Sequence, residues 1–391
     1  LLVHLSEYMP FFSKSQNSRK DASTPSPMAH IFGMLLSGAL GISILGLWIS
    51  AASVYIDPRI FKWVGVVGLA FPIFLFGTLF LWIIGLLFVP RKTWLLGLIG
   101  LGVCAQHIYT YCPIHPFIDN ETTTATANQI KVVSYNTFFF GRGMEQQDEL
   151  VRYLIDQHAD IICFQEGEAN PDNLKKIESR FAPTPTHYIS YEGTQEEVVG
   201  IISAYPILEQ KLIIAYPGNA IYGYRLQHPR GELIVVNCHF RSNLLSGPTL
   251  EGYTDMMHGK SKEDKRSQWN NTKTLFSKIA HSAMERSEMV DAVEDYLAQH
   301  KDKPVILCGD FNDTPISYTR HRVASLGLTD AFRKAGQGFG FSFRRNAIRV
   351  RIDHIFCSKD FEPIQAKVDE EAPYSDHQPI SATFVWKNEK K

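Results

Sequence analysis

The sequence predicts an α/β (α+β) chain: a four-layer α-β-β-α sandwich of two packed sheets, preceded by an all-α transmembrane region of three helices. Three observations predict this. Charge vanishes from long apolar stretches near the N-terminus. From Ile130 onward, short β-branched runs recur between Gly, Pro, Asn and Asp, the punctuation of strands and turns. Helical periods fall between some of those runs, and many strands with few helices pack as two sheets with helices outside.

The apolar stretches come first in the chain. They cover residues 29–56, 63–89 and 93–112 and contain no Asp, Glu, Lys or Arg. Each reaches the roughly 20 apolar residues that a spanning helix needs. The third ends in Gln106, His107 and Tyr residues, which suit an interface better than hydrocarbon. Three in succession, joined by the charged hinges "DPRIFK" and "PRK", argue against a buried core helix, and each exceeds the apolar core of a signal peptide. Trp48, Trp63, Trp82 and Trp94 lie mostly toward the ends of these stretches, where interfacial anchors sit. Lys14, Arg19 and Lys20 in the 1–28 tail fall on the same side as Arg91 and Lys92 of the second hinge. The positive-inside bias puts that side in the cytoplasm and the C-terminal domain outside it. Residues 113–129, rich in Thr and Asn, read as a polar linker, and 130–391 as the folded domain.

Strands are expected in "IKVVSYN", "DIICFQE", "VVGIISAYPI", "KLIIAY", "ELIVVNCHF", "PVILCGDFN", "RIDHIFCS" and "ISATFVW". Helices are expected where Leu150, Tyr153, Leu154 and Gln157 form one stripe, and where Met289, Val293 and Leu297 form another. The net charge of −1 points to no polyanionic partner. The six cysteines lack zinc spacing, and those within strand-like runs read as buried thiols. His107, His115, His258, His281 and His321 show no metal-ligand spacing either.

Chemistry concentrates at the strand ends. Asn136 closes the first strand and Glu166 the second. His239 ends "IVVNCHF", Asp310 and Asn312 follow "VILC", Asp353 and His354 lie in "RIDHIF", and Asp376 and His377 lie in "YSDHQPI". If these ends converge, they form an oxygen-rich pocket with two imidazoles. Such a set suits a hard divalent cation, with carboxylates from Glu166 and Asp376 and a carbonyl from Asn136. Zinc would favour more His or Cys. His377 beside an acid can handle a proton or contact phosphate.

These motifs, in the order "SYNT", "ICFQE", "GIISAYPI", "VNCHF", "GDFND", "RIDHIF", "SDHQPI", resemble the endonuclease/exonuclease/phosphatase superfamily over nearly all of 130–386. The helical N-terminus resembles a membrane-tethered bacterial branch, which implies an inner-membrane protein. The resemblance implies a Mg²⁺-dependent phosphoesterase (Mn²⁺ the substitute ion) acting by direct water attack. By position, Asp310 orients or deprotonates the water and Asn312 holds that water or the phosphorane oxygens. Glu166 is the main metal ligand, beside Asn136 and Asp376. His377, oriented by Asp353, contacts the scissile phosphate, and His239 is the candidate general acid. Phe138 stands where abasic-site endonucleases carry Asp, which argues against that substrate and against a second metal. The substrate is then a nucleic acid or, given the anchor, a phospholipid cleaved as sphingomyelinases do. A non-catalytic binding module on the same fold is the rival.

Four further features stay open in the sequence. Arg241, two residues after His239, is a candidate for substrate phosphate. Arg349 and Arg351 share a strand face that either binds anions or belongs to a solvated hairpin. Asp313 reads as a turn cap, and the polar loop 246–268 either covers the site or is a surface insertion.

Overall fold

The computed structural model describes residues 27–88, 92–115, 128–141, 144–168, 170–181, 188–194, 197–243, 265–345, 348–372 and 374–387. Most of the expected tail, linker and 246–268 loop lies outside the described residues.

Two six-stranded sheets form the body of the molecule. The first runs in the order β13 (Phe361–Val368), β14 (Ile380–Trp386), β1 (Gln129–Asn136), β2 (Ile161–Gln165), β4 (Glu197–Ser203), β3 (Tyr188–Thr194). The second runs β5 (Ile207–Tyr216), β6 (Asn219–His228), β7 (Gly231–His239), β8 (Val305–Asp310), β12 (Asp353–Cys357), β9 (Thr329–Asp330). A small hairpin joins β10 (Phe343–Arg345) to β11 (Ile348–Val350).

Period-two alternation sorts each strand's residues between two layers. Val132, Cys163, Val235, Ile306 and Ile355 face the space between the sheets. Their neighbours turn outward. Val133 packs with Leu150 and Leu154 of α6 (Met144–Asp156) and Ile177 of α7 (Pro171–Phe181). Val236 and Leu307 pack with Met289 and Val293 of α8 (Lys265–Ala298). The order of layers is therefore helix, sheet, sheet, helix, as expected. Each fully buried large apolar side chain contributes roughly 1.5–3 kcal/mol.

The N-terminal segment is helical but differs from three uninterrupted spans. α1 (Pro27–Ala52) continues as a 3₁₀ turn at Ser53–Tyr55. The second expected span is split at Ala70 into α2 (Val64–Leu69) and α3 (Phe71–Phe88), where Pro72 has no N–H to continue the ladder. The third is split at Cys104 (φ −94°, ψ 7°) into α4 (Lys92–Val103) and α5 (Ala105–Tyr111). Among the described residues, only 30–55 form a helix both long and apolar enough to cross a membrane, so three spans are not supported. Exposed large apolar residues nevertheless crowd this segment, including Ile31, Leu35, Ile42, Ile73, Phe80, Leu87 and Ile99.

The near end of the helical segment docks on α8 and on the loop after β8. Ile316 inserts among Leu47, Val54, Phe71, Leu75 and Tyr111. Arg351, buried, donates to the Thr110 carbonyl at 2.7 Å and lies 4.2 Å over the Phe332 ring. Arg351 is thus a cap on the end of α5. Arg344 pairs with Glu370, and Arg345 lies 3.9 Å from Asp376. The cluster therefore does not present Arg351 as part of an anion-binding strand face.

Candidate active site

Strand register builds the site. β7 and β8 run parallel with His239 opposite Asp310, and β8 and β12 run antiparallel with Asp310 opposite Asp353. Three polar side chains thereby stand in a row across the second sheet. In the first sheet, Asn136 pairs with Gln165, which puts Glu166 beside it. The backbone leaves the strands through unusual conformations. Glu166 (φ +46°) and Asn312 (φ +50°) are left-handed non-glycine residues, an arrangement that concentrates at functional sites. Gly309 (φ +142°) lies so close to β7 that a Cβ would sit 1.9 Å from the Cys238 carbonyl oxygen.

The side chains converge. Asn136 Nδ2 donates to Glu166 Oε1 at 3.0 Å and to Asp310 Oδ2 at 3.2 Å, bridging the two sheets. The Asn312 N–H donates to Asp310 Oδ1 at 2.7 Å, and its side-chain amide donates to the Phe240 carbonyl at 3.0 Å. His239 Nε2 lies 3.7 Å from Asp310 Oδ2 and 3.9 Å from Glu166 Oε1. His377 Nδ1 donates to Asp353 Oδ2 at 3.0 Å while its Nε2 lies 3.6 Å from Asp310 Oδ2. The His377 loop is pinned from several sides. Ser375 Oγ donates to the Asn136 carbonyl at 2.8 Å and accepts from the His377 N–H at 3.1 Å. Phe343 meets the imidazole edge-on, with centroids 5.1 Å apart.

Electrostatics follow from burial. Burial opposes charge on His377, but Asp353 and Asp310 outweigh it and raise its pKa to about 10. The ring is therefore an imidazolium at neutral pH. Burial raises Asp310 toward about 6, against the pull of His377. Burial drives His354 down to about 3, so it is neutral; it packs on Phe311 with centroids 4.9 Å apart.

Glu166, a quarter exposed, and buried Asp310 converge on one amide, and Asp353 Oδ1 is buried without a hydrogen-bond partner. This acceptor-rich pocket fits a hard cation held through oxygen. Asp310, Asp353 and His377 also present ligand atoms within 4.8 Å of one another, but His377 is charged and already bonded to Asp353, which disfavours it as a ligand.

Eight of the nine residues expected from sequence lie at this end of the sandwich. Asp376 is at its rim, with its carboxylate 3.9 Å from Arg345. Arg241 is the exception: its guanidinium pairs with Glu285 at 2.7 Å and donates to the Pro217 carbonyl. Asp313 turns from the pocket and accepts from Thr319 at 2.8 Å and Arg286 at 3.2 Å. Sequence reading missed the network beneath the site. Buried Asn237 donates to the Phe164 carbonyl at 3.0 Å and the Gly200 carbonyl at 2.8 Å, and it accepts from Gln165 at 2.6 Å. The available signal was phase: Asn237 shares the inward face of Val235, and Gln165 that of Cys163.

A two-sheet sandwich with a carboxylate-imidazole pocket at its strand ends is a phosphoesterase- or nuclease-like fold. A family model described as the Endonuclease/Exonuclease/phosphatase family matches residues 133–377, and the chain belongs to that family. A second model, a domain of unknown function (DUF8431), matches residues 33–111. No curated protein matches the chain. Similar solved structures include a D. rerio TDP2 humanized by 14 mutations (17% identity, TM-score 0.46, 66% of this chain and 99% of that one). A Bacteroides thetaiotaomicron endonuclease/exonuclease/phosphatase family protein has 18% identity and a TM-score of 0.47, over 67% and 99%. The 3′ phosphatase NExo from Neisseria, bound to a product DNA hairpin, has 17% identity and a TM-score of 0.47, over 66% and 100%.

Proposed function

We propose that the chain is a membrane-anchored, divalent-metal-dependent phosphoesterase that cleaves a phosphodiester by direct attack of water. The observation that carries the proposal is the row His239–Asp310–Asp353 with His377 bridging its carboxylates, 3.0 Å from Asp353 and 3.6 Å from Asp310. Burial raises Asp310, which suits a general base, and its oxygens face the pocket beside Asn312. The His377 imidazolium supplies fixed positive charge to a phosphate, with Asp353 holding its ring. His239 is the proposed donor of a proton to the leaving oxygen, and its position 3.9 Å from Glu166 and 3.7 Å from Asp310 supports that role. Glu166, with Asn136 and Asp376 beside it, is the proposed holder of Mg²⁺; the ion would neutralise phosphate charge.

Support for the anchor lies in α1, 26 residues or about 39 Å long at 1.5 Å per residue, and in its exposed apolar surface. The catalytic unit is 130–391, and the substrate is a nucleic acid or a phospholipid. The test is hydrolysis by the purified full chain of plasmid DNA, RNA, bis-p-nitrophenyl phosphate and sphingomyelin, with Mg²⁺ and with EDTA. Turnover should require the metal and disappear in D310A and H377A. Metal-independent turnover, or full activity in both variants, sinks the reading; hydrolysis of one substrate class alone assigns it.

A further inference from the structure

The helical segment and the catalytic domain enclose a second cavity of about 350 Å³ at their seam. Tyr55 after α1, His107 on α5, Arg320 and His321 on α9 (Tyr318–Ser325), and Arg333 and Lys334 on α10 (Ala331–Ala335) line it. None of these belongs to the active site.

Positive charge exceeds negative around this cavity. Its carboxylate, Asp330, is consumed by Arg320, which donates from two nitrogens at 2.7 and 3.0 Å. Among the described residues, Arg333 has only neutral side-chain acceptors, Thr110 Oγ1 at 3.0 Å and Gln106 Oε1 at 2.5 Å. Lys334 shares Glu362 with Lys387, at 3.3 and 3.0 Å. His107 Nδ1 is buried without a hydrogen-bond partner, and its Nε2 lies 3.5 Å from the Tyr55 hydroxyl. The Tyr55 ring meets His321 edge-on at 4.7 Å, which places the second imidazole nearby. A guanidinium with no carboxylate partner among the described residues and an ammonium, beside two imidazoles that burial and nearby arginines push toward the neutral form, are matched to a multivalent oxyanion, and the bonds from the two cations would be charge-assisted.

Position names the source of that anion. The cavity's lining includes Val54 and Tyr55, which directly follow α1, and exposed Ile56, Ile60 and Phe61 come next in the chain. Basic pockets at the ends of membrane helices bind phosphate headgroups. We propose that this cavity binds the phosphate of an anionic lipid headgroup and so seats the catalytic domain on the membrane. The proposal rests on the membrane reading of α1.

The test uses the full chain, delipidated in detergent, and native mass spectrometry with phosphatidylglycerol or phosphatidylcholine. Glycerol 3-phosphate is added in a parallel thermal-shift arm. Wild type should retain phosphatidylglycerol in preference to phosphatidylcholine, with retention about tenfold weaker in R333Q and in H321Q. Among the described residues, His321 has no side-chain hydrogen bond to lose beyond its ring contact with Tyr55, so H321Q guards against misfolding of R333Q, and unchanged hydrolysis of bis-p-nitrophenyl phosphate verifies both folds. Equal retention by wild type and both variants overturns the site, as does indifference to every anion. Stabilisation by glycerol 3-phosphate that matches phosphatidylglycerol keeps the site and overturns the lipid source. Flotation with vesicles scores insertion separately. A chain that floats yet does not discriminate anionic lipid refutes the site alone, and one that never floats refutes the membrane reading.

Discussion

Replacing Asp353 by Asn isolates the charge that holds His377. The two side chains are buried, with Asp353 Oδ2 3.0 Å from His377 Nδ1. Burial alone would lower the imidazole; the carboxylates instead raise it from 6.5 to about 10. That difference corresponds to roughly 5 kcal/mol of preference for the charged ring, at about 1.36 kcal/mol per pH unit. Asp310 and Asp376 supply part of it, and Asn still accepts a neutral hydrogen bond, so D353N should cost about 2–3 kcal/mol. The folded-state pKa lies above the unfolded one. The contribution is therefore complete below the unfolded value of 6.5, declines as pH rises, and is gone above about 10. Thermal unfolding of the full chain in detergent should show D353N about 5–10 °C below wild type near pH 6. The two should converge above about pH 10. The alkaline limb of the hydrolysis profile should also move from near 10 toward neutrality. An equal loss of Tm at both pH values, with an unmoved alkaline limb, would refute the ion-pair account.

G309A should fail to accumulate as folded protein, because its Cβ would meet the Cys238 oxygen at 1.9 Å and its φ is +142°; a soluble, active G309A contradicts the close approach. N237L takes the Asn237 donor from the Phe164 and Gly200 carbonyls and leaves the Gln165 amide only its 3.3 Å bond to Ser134, and thermal unfolding should register a loss of about 3 kcal/mol or more. R351M removes a charged bond of 2.7 Å to the Thr110 carbonyl. It should cost about 1.5–3 kcal/mol and open the seam to limited proteolysis, while protease resistance equal to wild type would show that Arg351 does not hold it.

The sandwich was legible because its inner strands are short apolar, β-branched runs bounded by turn residues, as in "KVVSYN" and "LIVVNCH", which are buried on both faces. β6 and β13 were not. β6 mixes Gly223 and Arg225 among its apolar residues, and Pro363 in β13 is followed by a bulge that only an edge strand tolerates. The residues that converge on the pocket were visible where a polar side chain bounds an apolar run, as Glu166 and Asp310 do at the end of theirs and Asp353 at the start of β12. Gln165 and Asn237 lie inside such runs, so their role depends on a partner in the opposite sheet that no single strand reveals. The interruptions at Ala70 and Cys104 were hidden for a related reason. Uniform apolarity fixes a segment's environment and says little about where its ladder breaks. The neighbouring histidines His107 and His321 meet only through the docking of α5 on the catalytic domain, so sequence spacing could not pair them.

Arg351 gives the helical segment a bearing on the active site that a tether would lack. Its guanidinium grips the end of α5 through the Thr110 carbonyl, and two residues later Asp353 holds His377. Ser342 secures the intervening backbone by accepting from the N–H groups of Ile352 and Asp353, each at 3.0 Å. The next link is again short, because Gln378, adjacent to His377, donates its N–H to the Ser342 carbonyl at 2.5 Å. Removing residues before 128 would deprive Arg351 of a carbonyl partner while keeping its charge beside Phe332. It would also expose Ile316, whose apolar neighbours come largely from the helices. Each loss acts on backbone within a few residues of Asp310 or Asp353. The helical segment is therefore expected to help hold the candidate site, and the isolated domain should be less stable and, on the proposed function, less active than the full chain at equal metal concentration.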